Sequence, residues 1–76
     1  MKEFVEYIVK KLVDHPEEVS INEVEGEKTI VLELKVANGE LGKVIGKNGR
    51  IAQAIRTLLA AMTARSYKRV VLEILE

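Results

Sequence analysis

Glycines and cations are concentrated in the segment GKVIGKNGRIAQAI, residues 42–55. Within it the tetrapeptide GKNG, residues 46–49, separates two apolar runs, and Lys43 and Arg50 flank it. Glycine has no Cβ and lets a backbone pass close to a ligand. Lysine and arginine supply the positive charge that binds phosphate groups. A turn of this composition suits the phosphates of a nucleotide or of a nucleic acid.

Two familiar motifs resemble this turn but fit it poorly. Asn-Gly between apolar runs is typical of a β-hairpin, but the residues that follow, RIAQAIRTLLAAM, are rich in Ala and Leu at helical spacing. A nucleotide-binding P-loop needs four residues between its first Gly and Gly-Lys, and then Ser or Thr. Here only three residues separate Gly42 from Gly46, and Asn48 follows the lysine.

The choice that remains is between a plain helix–helix connection and a turn that binds phosphate. A helix that begins at about Arg50 would direct its unpaired N–H groups and the positive end of its dipole toward the turn. A structural connection needs at most one glycine. Two glycines, three neighbouring cations and no acid favour phosphate binding, and the plain connection stays open as the alternative.

The charge of the chain is polarised although its sum is zero. Residues 1–40 hold ten acidic side chains against five lysines, whereas residues 41–72 hold seven Lys and Arg and no acid. The turn lies within the positive part. Distribution matters more than net charge for a nucleic-acid binder, so neutrality does not exclude that class.

The elements that would position the turn can be predicted from periodicity. Apolar residues at i, i+3 and i+4 spacing predict helices, and alternation predicts strands. His15 precedes Pro16 and should end the first helix near Asp14. The prediction is helix 2–13, strand 19–25, strand 28–36, helix 40–46, helix 50–64 and strand 68–76.

This α-β-β-α-α-β order predicts an α+β fold, a two-layer sandwich in a single domain, 1–76. The first two strands should form an antiparallel hairpin, and the third should return parallel to the second through a right-handed crossover. Three helices would then cover one face of a three-stranded mixed sheet.

With its apolar Val-Ile prefix, its Gly-x-x-Gly turn and this element order, the chain resembles the K-homology (KH) domain in its type II form. VIGKNGR carries the signature, and the resemblance to the small KhpA-type RNA-binding proteins of bacteria extends over essentially the whole chain. The resemblance implies that single-stranded RNA, with single-stranded DNA as an alternative, is held by its backbone while bases lie in an adjacent apolar groove. The residues implied are Lys43, Val44, Ile45, Gly46, Lys47, Asn48, Gly49, Arg50 and Ile51, with Leu34 and Val36 on the groove floor.

The same resemblance implies a homodimer, or a heterodimer with a larger KH-containing protein. Small domains often gain stability by association. The apolar surface of helix 50–64 is wider than one buried stripe needs, so we expect it to contact a second subunit through Ala52, Leu59 and Ala60.

Little else in the chain indicates chemistry. There is no cysteine, and His15 is the only histidine, so neither a thiolate metal site nor a catalytic triad is predicted, and we expect a non-enzymatic protein with no cofactor and no metal. His15 is expected in a solvated loop. No apolar run is long enough to span a bilayer, and the amino terminus does not resemble a signal peptide. The cytoplasm is therefore the expected location.

Two other functions stay open. Two helices joined by a short glycine-containing turn also describe a helix-turn-helix binder of duplex DNA, although Ala60, Ala61 and Ala64 would be poor readers of bases. The second is a protein-interaction module that keeps the KH fold without binding RNA.

Overall fold

The secondary structure follows the predicted order in a computed structural model that describes all residues, 1–76. Every predicted boundary lies within two residues of the observed one. Short 3₁₀ turns at Pro16–Glu18 and Lys47–Gly49 complete the chain. The main elements are α1 (Lys2–Leu12), β1 (Ser20–Glu25), β2 (Thr29–Lys35), α2 (Leu41–Ile45), α3 (Arg50–Met62) and β3 (Arg69–Ile74).

The three strands form one sheet in the order β1-β2-β3. β1 pairs with β2 antiparallel, with Ile21 opposite Leu34, and β2 pairs with β3 parallel, with Leu32 opposite Leu72. The mixed sheet predicted from the crossover is thus confirmed. β2 is the central strand, so β1 and β3 each have one free edge.

The core lies between one face of the sheet and the helices. Leu32 and Leu34 of β2 are fully buried, as are Val5 and Val9 of α1 and Leu59 of α3. Val5 and Val9 are one helical turn apart and face the same way, which is why the α1 pattern forms a helix here. Burying each of these side chains contributes about 1.5–3 kcal/mol relative to leaving it exposed.

The second helix differs from its prediction. α2 has five residues, little more than one turn instead of about two. α1 packs on β1 and α3 on β3, whereas α2 lies mainly against α1 and α3. The layer over the sheet therefore consists of two full helices with a short helical turn between them, and this turn leads directly into the GKNG segment.

The exposed face of the third helix also differs from the predicted one. Ala52 and Leu59, both expected to contact a second subunit, are buried in the core of the same chain, and only Ala60 of the three is exposed. The exposed apolar side chains of α3 are instead Leu58 and Met62, which are 46% and 48% exposed. None of the helices combines the length and the apolar composition that a membrane span requires.

Candidate nucleic-acid interface

The GKNG segment has a backbone conformation that ordinary residues rarely adopt. Gly46 has φ 78° and ψ 171°, a region open essentially to glycine alone. Asn48 (φ 56°) and Gly49 (φ 74°) are both left-handed, and Asn is among the few non-glycine residues that tolerate this. The residue types of the turn therefore follow from its shape, and α3 begins immediately after it.

The two glycines of the turn serve different purposes. A Cβ placed on Gly46 would lie 2.6 Å from Cγ1 of Ile51, so this position also requires close contact with the first turn of α3. A Cβ on Gly49 would meet nothing within 4 Å. Gly46 fixes the turn against the helix, whereas Gly49 supplies conformational freedom at an open surface.

The hydrogen bonds of the turn leave its tip free. Gly46 N–H donates to the carbonyl of Gly42 at 2.8 Å, and Gly49 N–H donates to that of Gly46 at 3.1 Å. None of the turn and cap hydrogen bonds uses the N–H of Lys47 or Asn48. Both residues are exposed, so the tip can donate backbone hydrogen bonds to an anion.

The cations around the turn are not equivalent. Lys47 and Arg50 are exposed and form no salt bridge. Lys43 instead bonds the carboxylate of Asp14, and its Nζ lies 3.9 Å from Oε1 of Glu40. This hydrogen bond to Asp14 raises the pKa of Lys43. Lys43 was expected to bind phosphate, but its charge is largely balanced within the protein.

Glu40 is a buried carboxylate that the sequence analysis did not identify. Its side chain is 6% exposed and accepts hydrogen bonds from the N–H of Asp14 at 2.6 Å and of His15 at 3.2 Å. Nδ1 of His15 lies 3.2 Å from the same oxygen. Glu40 lies four residues before the buried Val44. In the predicted helix 40–46 that spacing would put both residues on one face, and this was the available signal.

The hydrogen bonds of Glu40 decide its ionisation. Burial disfavours the carboxylate, but the bonds from the N–H of Asp14 and from His15 outweigh it and lower the pKa of Glu40. The hydrogen bond to Glu40 raises the pKa of His15, and the bond from Lys43 lowers the pKa of Asp14. This group, Asp14, His15, Glu40 and Lys43, joins the segment after α1 to the start of α2. His15 was expected to be a solvated residue, and it is exposed but paired.

The apolar residues predicted for the groove divide into two sets. Val44 and Leu34 are fully buried in the core, so they support the surface from below and do not reach a ligand in this conformation. Ile45, Ile51 and Val36 are partly exposed. The open depression that adjoins the turn runs along the outer face of α3 and is lined by Asn48, Arg50, Gln53, Ala54, Thr57 and Leu58.

No group of three or more His, Asp or Glu side chains is arranged to hold a metal ion. What the site offers is a turn with free backbone donors, two unpaired cations and a shallow surface of mainly small and polar side chains beside them. These features suit an extended, anionic ligand better than a small molecule, since no deep enclosed cavity adjoins the turn.

Comparison with known proteins agrees with this geometry. The sequence model of the KhpA/KhpB KH domain matches residues 2–74. A protein of Clostridium perfringens is 59% identical over 75 residues, covering 99% of this chain and 100% of its own length. Proteins of Chlamydia muridarum and Aquifex aeolicus are each 58% identical over 76 residues, covering all of this chain and 97% and 96% of their own.

Each of these three relatives is named RNA-binding protein KhpA. No solved structure gives a significant match. The family match covers the turn, all three helices and all three strands, and the element order is that of the type II KH fold. The chain belongs to the KhpA/KhpB family of KH-domain proteins.

Proposed function

We propose that this protein binds single-stranded RNA, and that the turn at residues 46–49 holds the sugar-phosphate backbone. The observation that carries the proposal is the turn itself, in which the exposed backbone N–H groups of Lys47 and Asn48 are free of turn hydrogen bonds. KH domains clamp about four nucleotides in this way. The names of the relatives support RNA as the ligand, with single-stranded DNA as the alternative.

We divide the proposed contacts into direct and indirect ones. Gly46, Lys47, Asn48, Gly49 and Arg50 would contact the backbone, and the exposed parts of Ile45 and Ile51 would contact the bases. Lys43 and Val44 act indirectly in this proposal, because one is paired with acids and the other is buried. Two unpaired cations correspond to a slope of log K against log salt of roughly −1.4 for a single strand.

Binding of this kind requires no catalysis, and we propose a non-enzymatic role in the cytoplasm as an RNA chaperone or post-transcriptional regulator. A duplex-reading helix-turn-helix is disfavoured because α2 has only five residues. The outer face of α3 also carries Ala54 and Ala61 where base-reading side chains would be needed.

The test is fluorescence anisotropy with single-stranded RNA, single-stranded DNA and duplex DNA, on wild type and on Lys47→Asp/Asn48→Asp. Asp tolerates the left-handed conformation of Asn48, so the turn should survive while negative charge occupies its tip. Lys2→Asp/Ser20→Asp is the matched control, since it makes the same change of net charge at positions far from the turn in the sequence.

The proposal predicts that wild type and control bind single strands and that the turn variant does not. Asp at position 2 suits the start of α1, and Asp at position 20 would lie opposite Lys35, so the control should stay folded. Wild type that fails to bind any single strand would refute the proposal and favour a protein-interaction module.

We propose also that the chain forms a homodimer, or pairs with a larger KH-containing protein, through the exposed apolar side of α3. Leu58 and Met62 are one helical turn apart and each almost half exposed. Leu58→Glu should convert a dimer to a monomer in sedimentation analysis. Tyr67→Glu, at a residue 89% exposed, should not. A wild type that stays monomeric at high concentration would contradict this assignment.

A further inference from the structure

The contact between Asp14 and Lys43 joins the segment after α1 to α2, beside the GKNG turn. Nζ of Lys43 donates a hydrogen bond to Oδ2 of Asp14, from which it is 29 residues distant in the sequence. Both side chains lie at the surface, since 43% of the Lys43 side chain and 71% of that of Asp14 are exposed. The pair is therefore open to competition from an anion that approaches the turn.

Lys43 has no second hydrogen-bonded partner for its ammonium group. The other carboxylate near it is that of Glu40, whose Oε1 lies 3.9 Å from Nζ of Lys43, too far for a hydrogen bond. That oxygen already accepts hydrogen bonds from the N–H groups of Asp14 and His15 and lies 3.2 Å from Nδ1 of His15. Removing the Asp14 carboxylate would therefore release the Lys43 ammonium.

A released Lys43 would be placed to meet an anion at the turn. Lys43 lies three residues before Gly46, whose N–H donates to the carbonyl of Gly42 and so continues the helical hydrogen bonding of α2. Residues at this spacing are neighbours on one side of a helix. Because the lysine ammonium sits on a flexible four-carbon stem, Lys43 can turn either to Asp14 or to a phosphate held at the turn.

Asp14 opposes the contact between Lys43 and a phosphate in two ways. While the carboxylate is present, Lys43 can bind a phosphate only by giving up Asp14, so one anion is exchanged for another. The carboxylate also repels the phosphate directly. Each phosphate neutralised by a free cation strengthens binding and makes it more dependent on salt, and the paired Lys43 is not such a cation.

We propose that Asp14 is a positioning residue that limits the affinity of the turn for RNA, because it keeps Lys43 from joining Lys47 and Arg50 as a phosphate contact. This inference rests on the proposed function and deepens it, since it assigns control of affinity to a residue outside the turn. The competing explanation is that the pair merely ties α1 to α2 and holds the turn in place. The two explanations predict opposite effects when the carboxylate is removed.

The experiment measures the binding of a short single-stranded RNA by fluorescence anisotropy across a salt series. The main variant is Asp14→Asn, which removes the charge but keeps the backbone N–H that donates to Glu40. Glu17→Gln is the matched control, because it makes the same change of net charge in the same segment, at an exposed residue that forms no salt bridge. Lys43→Gln and Asp14→Asn/Lys43→Gln complete a double-mutant cycle, and thermal unfolding checks that each variant is folded.

We expect Asp14→Asn to bind RNA more tightly than wild type, with a salt slope steeper by about 0.7 for one additional phosphate contact. The ratio of variant to wild-type affinity should then be about 2.6-fold larger at 50 mM than at 200 mM salt. Glu17→Gln should keep the wild-type slope. The double variant should return to the wild-type slope, because the released lysine is gone, and Lys43→Gln alone should change the slope little.

Binding by Asp14→Asn that equals or falls below that of wild type would overturn the inference and leave the tie between α1 and α2 as the role of the pair. An equal gain in Glu17→Gln, or a gain that persists in the double variant, would also overturn it, since net charge would then explain the effect.

Lys43→Gln tests the inference without any change at Asp14. A slope shallower by about 0.7 in this variant would overturn the inference, because Lys43 would then bind phosphate while Asp14 is present. These results all leave RNA binding by wild type in place. Failure of both wild type and Asp14→Asn to bind RNA is a separate result, because it defeats the proposed function itself and the inference with it.

Discussion

Replacing Gly46 by alanine is the sharpest test of the geometry described for the turn. Its φ and ψ lie in a region that costs a non-glycine residue about 1–3 kcal/mol. The new methyl group would also lie 2.6 Å from Cγ1 of Ile51, and overpacking of this kind typically costs a further 1–3 kcal/mol. We therefore expect Gly46→Ala to lower the free energy of unfolding by about 2–6 kcal/mol.

That loss is large for a chain of 76 residues, whose total stability should be about 4–11 kcal/mol. Two other glycines give matched comparisons. Gly49→Ala introduces only a left-handed alanine at an open surface and should cost about 1–2 kcal/mol. Gly42→Ala lies inside α2 with open space around it and should stabilise by about 0.5–1 kcal/mol.

The assay is urea unfolding followed by circular dichroism, with a double-mutant cycle between Gly46→Ala and Ile51→Ala. If the methyl group clashes with Ile51, truncating Ile51 should relieve that part of the cost, and the two changes should be non-additive by about 1–3 kcal/mol. Additivity within about 0.5 kcal/mol, or a Gly46→Ala cost no larger than that of Gly49→Ala, would refute the reasoning.

Two further predictions concern the paired residues beside the turn. Lys47→Gln should make the salt slope of RNA binding shallower by about 0.7, whereas Lys43→Gln should change it little and lower the melting temperature more; a larger binding defect for Lys43→Gln would contradict its pairing. Because the pKa of His15 is raised, the stability that His15 adds to the fold is complete below its ordinary value of 6.5 and is lost as pH rises through the raised value. Because the pKa of Glu40 is lowered, the stability that Glu40 adds is complete above 4.5 and is lost as pH falls through the lowered value. The melting temperature should therefore be highest between pH 4.5 and 6.5. His15→Gln should remove the decline on the alkaline side and, because His15 also helps to lower the pKa of Glu40, should reduce the decline on the acid side as well.

The fold could be predicted from sequence because its elements are specified locally. The alternation of β2 and the helical spacing of α1 and α3 each place apolar residues on one face, and Pro16 marks the end of the first helix region. The parallel pairing of β2 with β3 then follows from the crossover between them. Boundaries came within two residues for the same reason.

The face of α3 could not be predicted so well, because its composition is apolar almost all round. Ala52 and Leu59 are equally compatible with a core stripe and with an interface, and only the packing against the sheet decides between them. Leu58 and Met62 remain exposed, and around the helix axis they lie in places less than a third of a turn from the buried stripe. The periodicity of an alanine-rich helix cannot resolve so small an angle.

The electrostatics of the site depend on contacts between distant parts of the chain, and sequence patterns do not report these. Counting charges along the chain makes residues 41–72 uniformly positive, yet Asp14, 29 residues before Lys43, neutralises that lysine in the folded protein. Lys68 is likewise paired with Glu25, 43 residues before it. Lys47 and Arg50 at the turn form no salt bridge, so the folded protein keeps unpaired positive charge at the turn while it balances other cations of the region that the sequence alone presents as uniform.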